Sequence, residues 1–218
     1  KESVVDAFSV LIKDQEEQNI QVLANLIGEQ IAEKGIQYSD AAIALDCSMF
    51  IQHKLHSDFN DPKQIAQTIR FDAEETLARD VANIAIAFKI NSSNETGSEL
   101  TIFTAEKDWL ADIIAALQSN KIDPITIEPD AYCLKRFLSQ HLDISETETA
   151  LFAMLSKHNA YIMAMGSSEH IEQAPVRTFL LDLKKDRTQV LQREVPLTSA
   201  FLGLGSINIL KVYDSVNA

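Results

Sequence analysis

Between residues 41 and 142 the spacing of apolar side chains switches repeatedly between a two-residue and a 3.6-residue period. A chain patterned this way hides its hydrophobic surface by laying helices on sheets, which restricts it to the mixed α/β classes. Residues 41–56 (AAIALDCSMFIQHKLH) read as one or two strands. Asp58, Asn60, Asp61 and Pro62 make a turn, and Pro62 suits the first turn of a helix. That helix is predicted over 62–79, with Ile65, Ile69 and Ala73 on one face. Residues 81–91 alternate as a strand does, 91–98 (NSSNETGS) are polar turn formers, and 100–104 supply the partner strand of a hairpin. An amphipathic helix follows over 105–119 around Trp109, Ile113, Ile114 and Leu117. A strand over 125–128 leads into a helix opened by Pro129 and Asp130 and running to about 142; the Asp130 charge favours its positive end.

The flanks are less regular. Val4, Val5, Phe8, Leu11 and Ile12, then Ile20, Leu23, Ile27 and Ile31, recur at helical spacing. They predict one broken helix or two, closed at Lys34-Gly35 by a glycine suited to a C-terminal cap. The acidic run 143–148 (DISETE) marks a boundary. Beyond it, 149–155 and 160–165 read as a hairpin around Lys157-His158-Asn159, and 176–183 with 188–195 as a second hairpin around 184–187. The apolar stretch 199–212 reads as helical, against the preference of Gly203 and Gly205. No internal repeat is visible. The order suggests an α+β module followed by a sheet that begins antiparallel.

With 218 residues, 46% hydrophobic and 23% charged, the chain suits one large domain or two small ones with a sizeable core. Its net charge of -13 repels phosphate backbones and anionic lipid, so nucleic acid is not an expected partner. The densest basic cluster, Lys184, Lys185 and Arg187, is interleaved by Asp182 and Asp186 and reads as a solvated turn. No run of about 18 apolar residues offers a membrane span, and no signal peptide is visible. Cys47 and Cys133 match no zinc or C-x-x-C spacing and are expected to be reduced, partly buried thiols of a reducing cytoplasm. The chain opens at Lys1 rather than Met, as a processed or trimmed form would.

Fragments that could carry chemistry are isolated. No G-x-x-x-x-G-K-[ST] or G-x-G-x-x-G occurs; Gly203-Leu204-Gly205 is the one close glycine pair, and packing against a neighbouring backbone is its expected use. His53 and His56 are three apart, which on a strand puts them on opposite faces, so they are expected to be unliganded. Ser48 adjoins Cys47 and Asp46 without a nucleophile elbow. Asp72, Glu74 and Glu75 beside Arg70 and Arg79 form a charged helix face, with Glu75 and Arg79 spaced as a surface pair. These observations favour a protein without catalytic or metal-ligating residues.

A longer pattern adds to this. Ile69-Arg70-Phe71-Asp72-Ala73-Glu74-Glu75 resembles the "R-F-E-A-E" helix of the PilM and GspL family of actin-like assembly proteins, which serve type IV pilus and type II secretion machines. Leu100-Thr101-Ile102-Phe103-Thr104-Ala105 resembles the strand that leads back to the main lobe, and Ile125-Thr126-Ile127-Glu128-Pro129-Asp130-Ala131-Tyr132 the strand followed by an acidic residue and an alanine-containing helix. The likeness runs from Leu26 to about Leu138. It implies an α/β fold, an actin-like ATPase (ribonuclease H-like) core with an inserted α+β subdomain and the N-terminal part missing. The implied division is 1–37 as an N-terminal helical segment of the core, 38–130 as the inserted subdomain and 131–218 as the second ribonuclease H-like half.

In that family plan, phosphate is held by an Asp-Gly turn between the first two strands of each half. The second-half equivalent here, residues 153–158, has neither residue, and Lys157 and His158 are its sole candidates for meeting a phosphate. An exposed hairpin tip is the plainer reading of both. The resemblance therefore implies a non-catalytic scaffold without cofactor, ATP being the one to test for. It would lie in the cytoplasm, peripheral to the inner membrane, without inserting into it, and bind a short cytoplasmic peptide of an inner-membrane assembly protein in a groove between core and inserted subdomain. The alternative is an actin-like ATP-binding protein or ATPase whose first lobe is truncated; an Asp-x-Gly turn before Lys1, or tight binding of Mg-ATP, would distinguish it. A small-molecule enzyme would need a convergent set of buried carboxylates or histidines.

Overall fold

The computed structural model describes residues 4–12, 19–78, 80–145, 148–166, 168, 171, 174–182 and 185–216. Helix α1 (Ile20–Glu33) starts at Asn19, whose side chain accepts from the Val22 amide, and stops at Gly35. Gly35 adopts the left-handed φ of 62° that lets its own amide reach Ala32 O and that of Ile36 reach Ile31 O, the paired bonds that satisfy the last turn of a helix. Strand β1 (Ala41–Leu45), a 3₁₀ turn (Cys47–Met49) and strand β2 (Ile51–Ser57) follow. Asp61 caps helix α2 (Pro62–Leu77), and Ile65, Ile69 and Ala73 are its buried face, as their spacing predicts. Strands β3 (Ile84–Asn94) and β4 (Gly97–Glu106) form a longer hairpin than expected, because the polar residues 91–94 and 97–99 continue the ladder up to a tight turn. Helix α3 (Lys107–Ser119), strand β5 (Pro124–Pro129) and helix α4 (Asp130–His141) complete the first part of the chain.

Strands β1 and β5 pair in parallel with each other and bracket the β2–α2–β3–β4–α3 unit. The unit has its own antiparallel sheet in the order β2-β4-β3, which leaves β3 on an edge. One face of that sheet, with Leu55, Leu100, Ile102, Ile86, Phe88 and Ile90, packs on α2. Helices α1 and α3 pack on each other and on β1 through Ala24, Ile113, Ala116, Leu117 and Ile43.

A third sheet is built from β6 (Ala150–Leu155), β7 (Asn159–Met165), β8 (Arg177–Leu180) and β9 (Ile209–Asp214), in the order β8-β7-β6-β9. The β6–β7 hairpin is the one predicted. Alternation along β6 and β7 divides the core. Tyr161, Met163 and Met165 meet α4, whereas Leu151, Ala153, Ile162 and Ala164 meet helix α5 (Arg187–Phe201).

Five expectations are corrected. Residues 4–12 are not helical; Val4, Val5 and Leu11 stay exposed, so the apolar stripe lacks the burial that a short helix needs in water. The second hairpin is instead one short strand, β8, followed by α5. Asp186 caps α5 by accepting from the Thr188 amide, and the buried positions Val190, Glu194 and Thr198 recur every four residues. Two of those three are polar, so the helical period does not show in the hydrophobic pattern. The tail is a strand rather than a helix. Gly203, at φ 64°, ends α5, and Ile209–Asp214 then pairs in parallel with β6. Gly203 therefore serves a helix end, and Gly205 has open space around its Cα instead of a packed backbone. The basic cluster is also not wholly solvated, since Arg187 donates to Asp214 Oδ1 (2.8 Å) and to Ser156 O (2.7 Å). Lys184, the Glu75–Arg79 pair through Arg79, and the centre of the acidic linker at 146–147 lie outside the described residues.

Candidate binding groove

The face of the β2-β4-β3 sheet turned away from α2 is shaped by small residues at its edge. On β3, Ala85, Ala87 and Lys89 share this face, opposite Ala105, Phe103 and Thr101 of β4. The two alanines leave room beside the edge strand, and Phe103 stands up beyond them. Tyr132 of α4 meets the Phe103 ring edge-on, with centroids 5.0 Å apart and planes at 87°. The Tyr132 hydroxyl donates to Gln52 Oε1 (2.5 Å), and Gln52 Nε2 donates to Val176 O (3.2 Å). Gln52 thus ties β2 at once to α4 and to the segment entering β8. Burial raises the Tyr132 pKa above its ordinary value, so the hydroxyl stays a donor at neutral pH.

Between the β3 edge, this aromatic pair, β5 and α4 lies a groove of about 850 Å³, within the size range of ligand sites. Phe50, Leu110, Leu142, Ile144 and Met165 make much of its lining apolar. Among the described residues, Lys89, Lys135, Arg136 and Glu128 are its charged ones. Arg136 grips Glu128 through two bonds of 3.0 Å each, and Lys135 donates to the carbonyls of Ile171 (3.0 Å) and Ala174 (3.1 Å). The sequence did not single out Lys89, Phe103 or Tyr132 as site residues, because they sit on three elements whose convergence only the fold creates.

The residues flagged for phosphate lie elsewhere. Lys157 and His158 form the exposed tip of the β6–β7 hairpin. The adjoining Asn159 side chain donates to Asp46 Oδ2 (3.2 Å) and Ser48 Oγ (3.0 Å). Asp46, brought to this turn from the other end of the chain, also accepts from the Ser48 amide (2.8 Å), so each carboxylate oxygen holds a hydrogen bond. Nearby, Asp130 Oδ1 accepts from the amides of Cys47 (2.8 Å) and Ala131 (2.7 Å). Burial is the main cause of its raised pKa, against those two bonds. Cys47 is a free, fully enclosed thiol whose pKa burial pushes up to about 12; Cys133 is free and half-buried. His56 sits on the sheet surface with Nδ1 2.8 Å from Glu99 Oε1, and His53 lies one residue out of phase with it, on the other face. Arg70 donates to the carbonyls of Val81 (3.0 Å) and Ile84 (3.3 Å), which makes it an anchor for the start of β3, while Phe71 is exposed. Among the described residues, no three His, Cys, Asp or Glu side chains converge as metal ligands, and no helix is long and apolar enough to cross a membrane.

A parallel strand pair with helices, a βαββα unit set between its two strands, and a second sheet reached through α4 define the class by fold: an actin-like α/β protein of the PilM and GspL type. Solved structures share the fold, among them the two that follow. One, titled as the PilM-PilN type IV pilus biogenesis complex, superposes with a TM-score of 0.61 at 16% identity over 89% of this chain and 58% of that one. The other is the cytoplasmic domain of EpsL, an inner membrane component of the type II secretion system of Vibrio cholerae, with a TM-score of 0.54 at 14% identity over 87% of this chain and 66% of that one. The chain therefore spans 58% and 66% of the lengths of these two structures. Residues 41–180 match the family model of the type II secretion system (T2SS) protein L, and the chain belongs to that family. No curated protein matches it in sequence.

Proposed function

We propose that this chain is a non-catalytic scaffold of a secretion or pilus assembly platform, and that its groove grips a short extended segment of an inner-membrane assembly protein at the cytoplasmic face. The observation that carries the reading is the open edge of β3 beside an apolar groove. An edge strand offers unpaired backbone groups for strand addition, and adjacent pockets supply side-chain selectivity. The protein L family membership and a solved relative titled as a complex with a second assembly protein support a role in holding partners. The Lys157–His158 tip has no carboxylate or glycine of its own, and weak or no binding of Mg-nucleotide is the corresponding expectation.

The test is NMR on the labelled chain, titrated with peptides from cytoplasmic segments of inner-membrane secretion and pilus assembly proteins. A binding segment should shift the amides of 85–89 and of Tyr132, and Ala87→Trp, which fills the groove, should weaken it at least about tenfold with unchanged circular dichroism. Binding indifferent to Ala87→Trp would remove the groove from the reading. Tight, saturable binding of Mg-ATP by calorimetry, with turnover, would replace the scaffold with the ATPase alternative.

A further inference from the structure

The chain has 32 acidic residues against 19 basic ones, yet its groove reverses that balance. Among the described residues, three cations, Lys89, Lys135 and Arg136, line it with a single carboxylate, Glu128. Arg136 is bound to that carboxylate, and Lys135 is engaged by backbone carbonyls. Lys89 is different. It is exposed on the edge strand itself, two residues from Ala87 and on the same face, and it makes no ion pair among the described residues. A segment pairing with β3 would set one of its side chains opposite Ala87, over Phe103, and the side chain two positions away opposite Lys89, because partners across a ladder keep its two-residue period.

We propose that the groove selects an extended acidic–apolar segment, with Asp or Glu two positions from a bulky apolar residue, the carboxylate meeting Lys89 and the apolar side chain covering the Phe103–Tyr132 pair. This rests on the groove being a peptide site. The surrounding acidic surface repels such a segment at long range, so Lys89 marks where its charge is accepted and fixes its register along the edge. A basic segment meets the opposite field at the groove and is disfavoured there.

The test is a selection of short random peptides displayed on phage against the whole chain and two variants, Lys89→Glu and Ala87→Trp, with the enriched peptides then measured by fluorescence anisotropy. The expected result is that peptides lost on Ala87→Trp carry Asp or Glu two positions from a bulky apolar residue. Asp→Asn in such a peptide should weaken binding about three- to fivefold at low salt and less at high salt, and Lys89→Glu should enrich Lys or Arg at that position instead. If the groove-dependent peptides show no acidic preference, or keep it in Lys89→Glu, the charge rule is overturned and the groove reading stands. If Ala87→Trp enriches the same peptides as the unmodified chain, the groove reading falls and takes the charge rule with it.

Discussion

Replacing Tyr132 by Phe removes one oxygen atom and tests how the groove is held open. The ring and its edge-on contact with Phe103 at 5.0 Å remain, so aromatic packing is conserved. What disappears is the hydroxyl bond to Gln52 Oε1, whose amide also holds Val176 O. A typical intramolecular hydrogen bond contributes about 0.5–1.5 kcal/mol net, and a buried acceptor left without its donor costs about 1–3 kcal/mol. Gln52 and Tyr132 are half-buried, so water can partly replace the lost donor and the expected destabilisation is about 1–2 kcal/mol. Tyr132→Ala also loses the ring and should cost about 3–5 kcal/mol. Urea unfolding followed by far-ultraviolet circular dichroism measures both, and an unchanged m value shows that the denatured state is not the cause. Gln52→Ala closes a double-mutant cycle with Tyr132→Phe, and the expected coupling is about 1 kcal/mol. A Tyr132→Phe variant within about 0.3 kcal/mol of the parent and additive with Gln52→Ala would show that the Gln52 junction does not hold α4 against β2.

Gly97, at φ 129°, would place an added Cβ 2.1 Å from Ser57 O, so Gly97→Ala should cost about 2–5 kcal/mol by urea unfolding. Glu194 is almost fully buried; burial raises its pKa, but hydrogen bonds from Arg177 and Arg193 outweigh this and leave it lowered. Its stabilisation is thus present above the unfolded carboxylate value and is lost as pH falls through the lowered folded value. Glu194→Ala should cost about 2–4 kcal/mol at neutral pH, reduced from the fully buried case because the Arg193 side chain is half exposed, and the difference from the parent should shrink as pH falls through the lowered folded value. His56, raised chiefly by its hydrogen bond to Glu99, should titrate by NMR above 6.5; its contribution is present below that value and fades as pH rises through the folded value, and Glu99→Gln should return the midpoint towards 6.5. At about pH 8 a thiol reagent should modify Cys133 well before Cys47 in the folded chain, and the two at equal rates once it is unfolded.

The sequence was sufficient wherever a local signal matched the final environment. Asp61 and Pro62 started α2, Gly35 ended α1, and Ile65, Ile69 and Ala73 marked a buried face, because capping and amphipathic burial depend on residues within a turn or two of each other. The resemblance carried by residues 69–75, 100–105 and 125–132 was legible for the same reason, as the first two pieces each lie in one element, α2 and β4, and the third runs from β5 straight into α4. The tertiary structure decided the rest. Residues 188–195 became helix because Glu194 and Thr198 found partners in Arg177, and 209–214 became strand because β6 offered an open edge, neither of which lies nearby in sequence. The groove is likewise absent from any single segment. Ala87, Phe103, Tyr132 and Lys89 acquire a common space only when the edge of one sheet is set against α4, since side chains far apart in the chain interact through packing that no local period encodes.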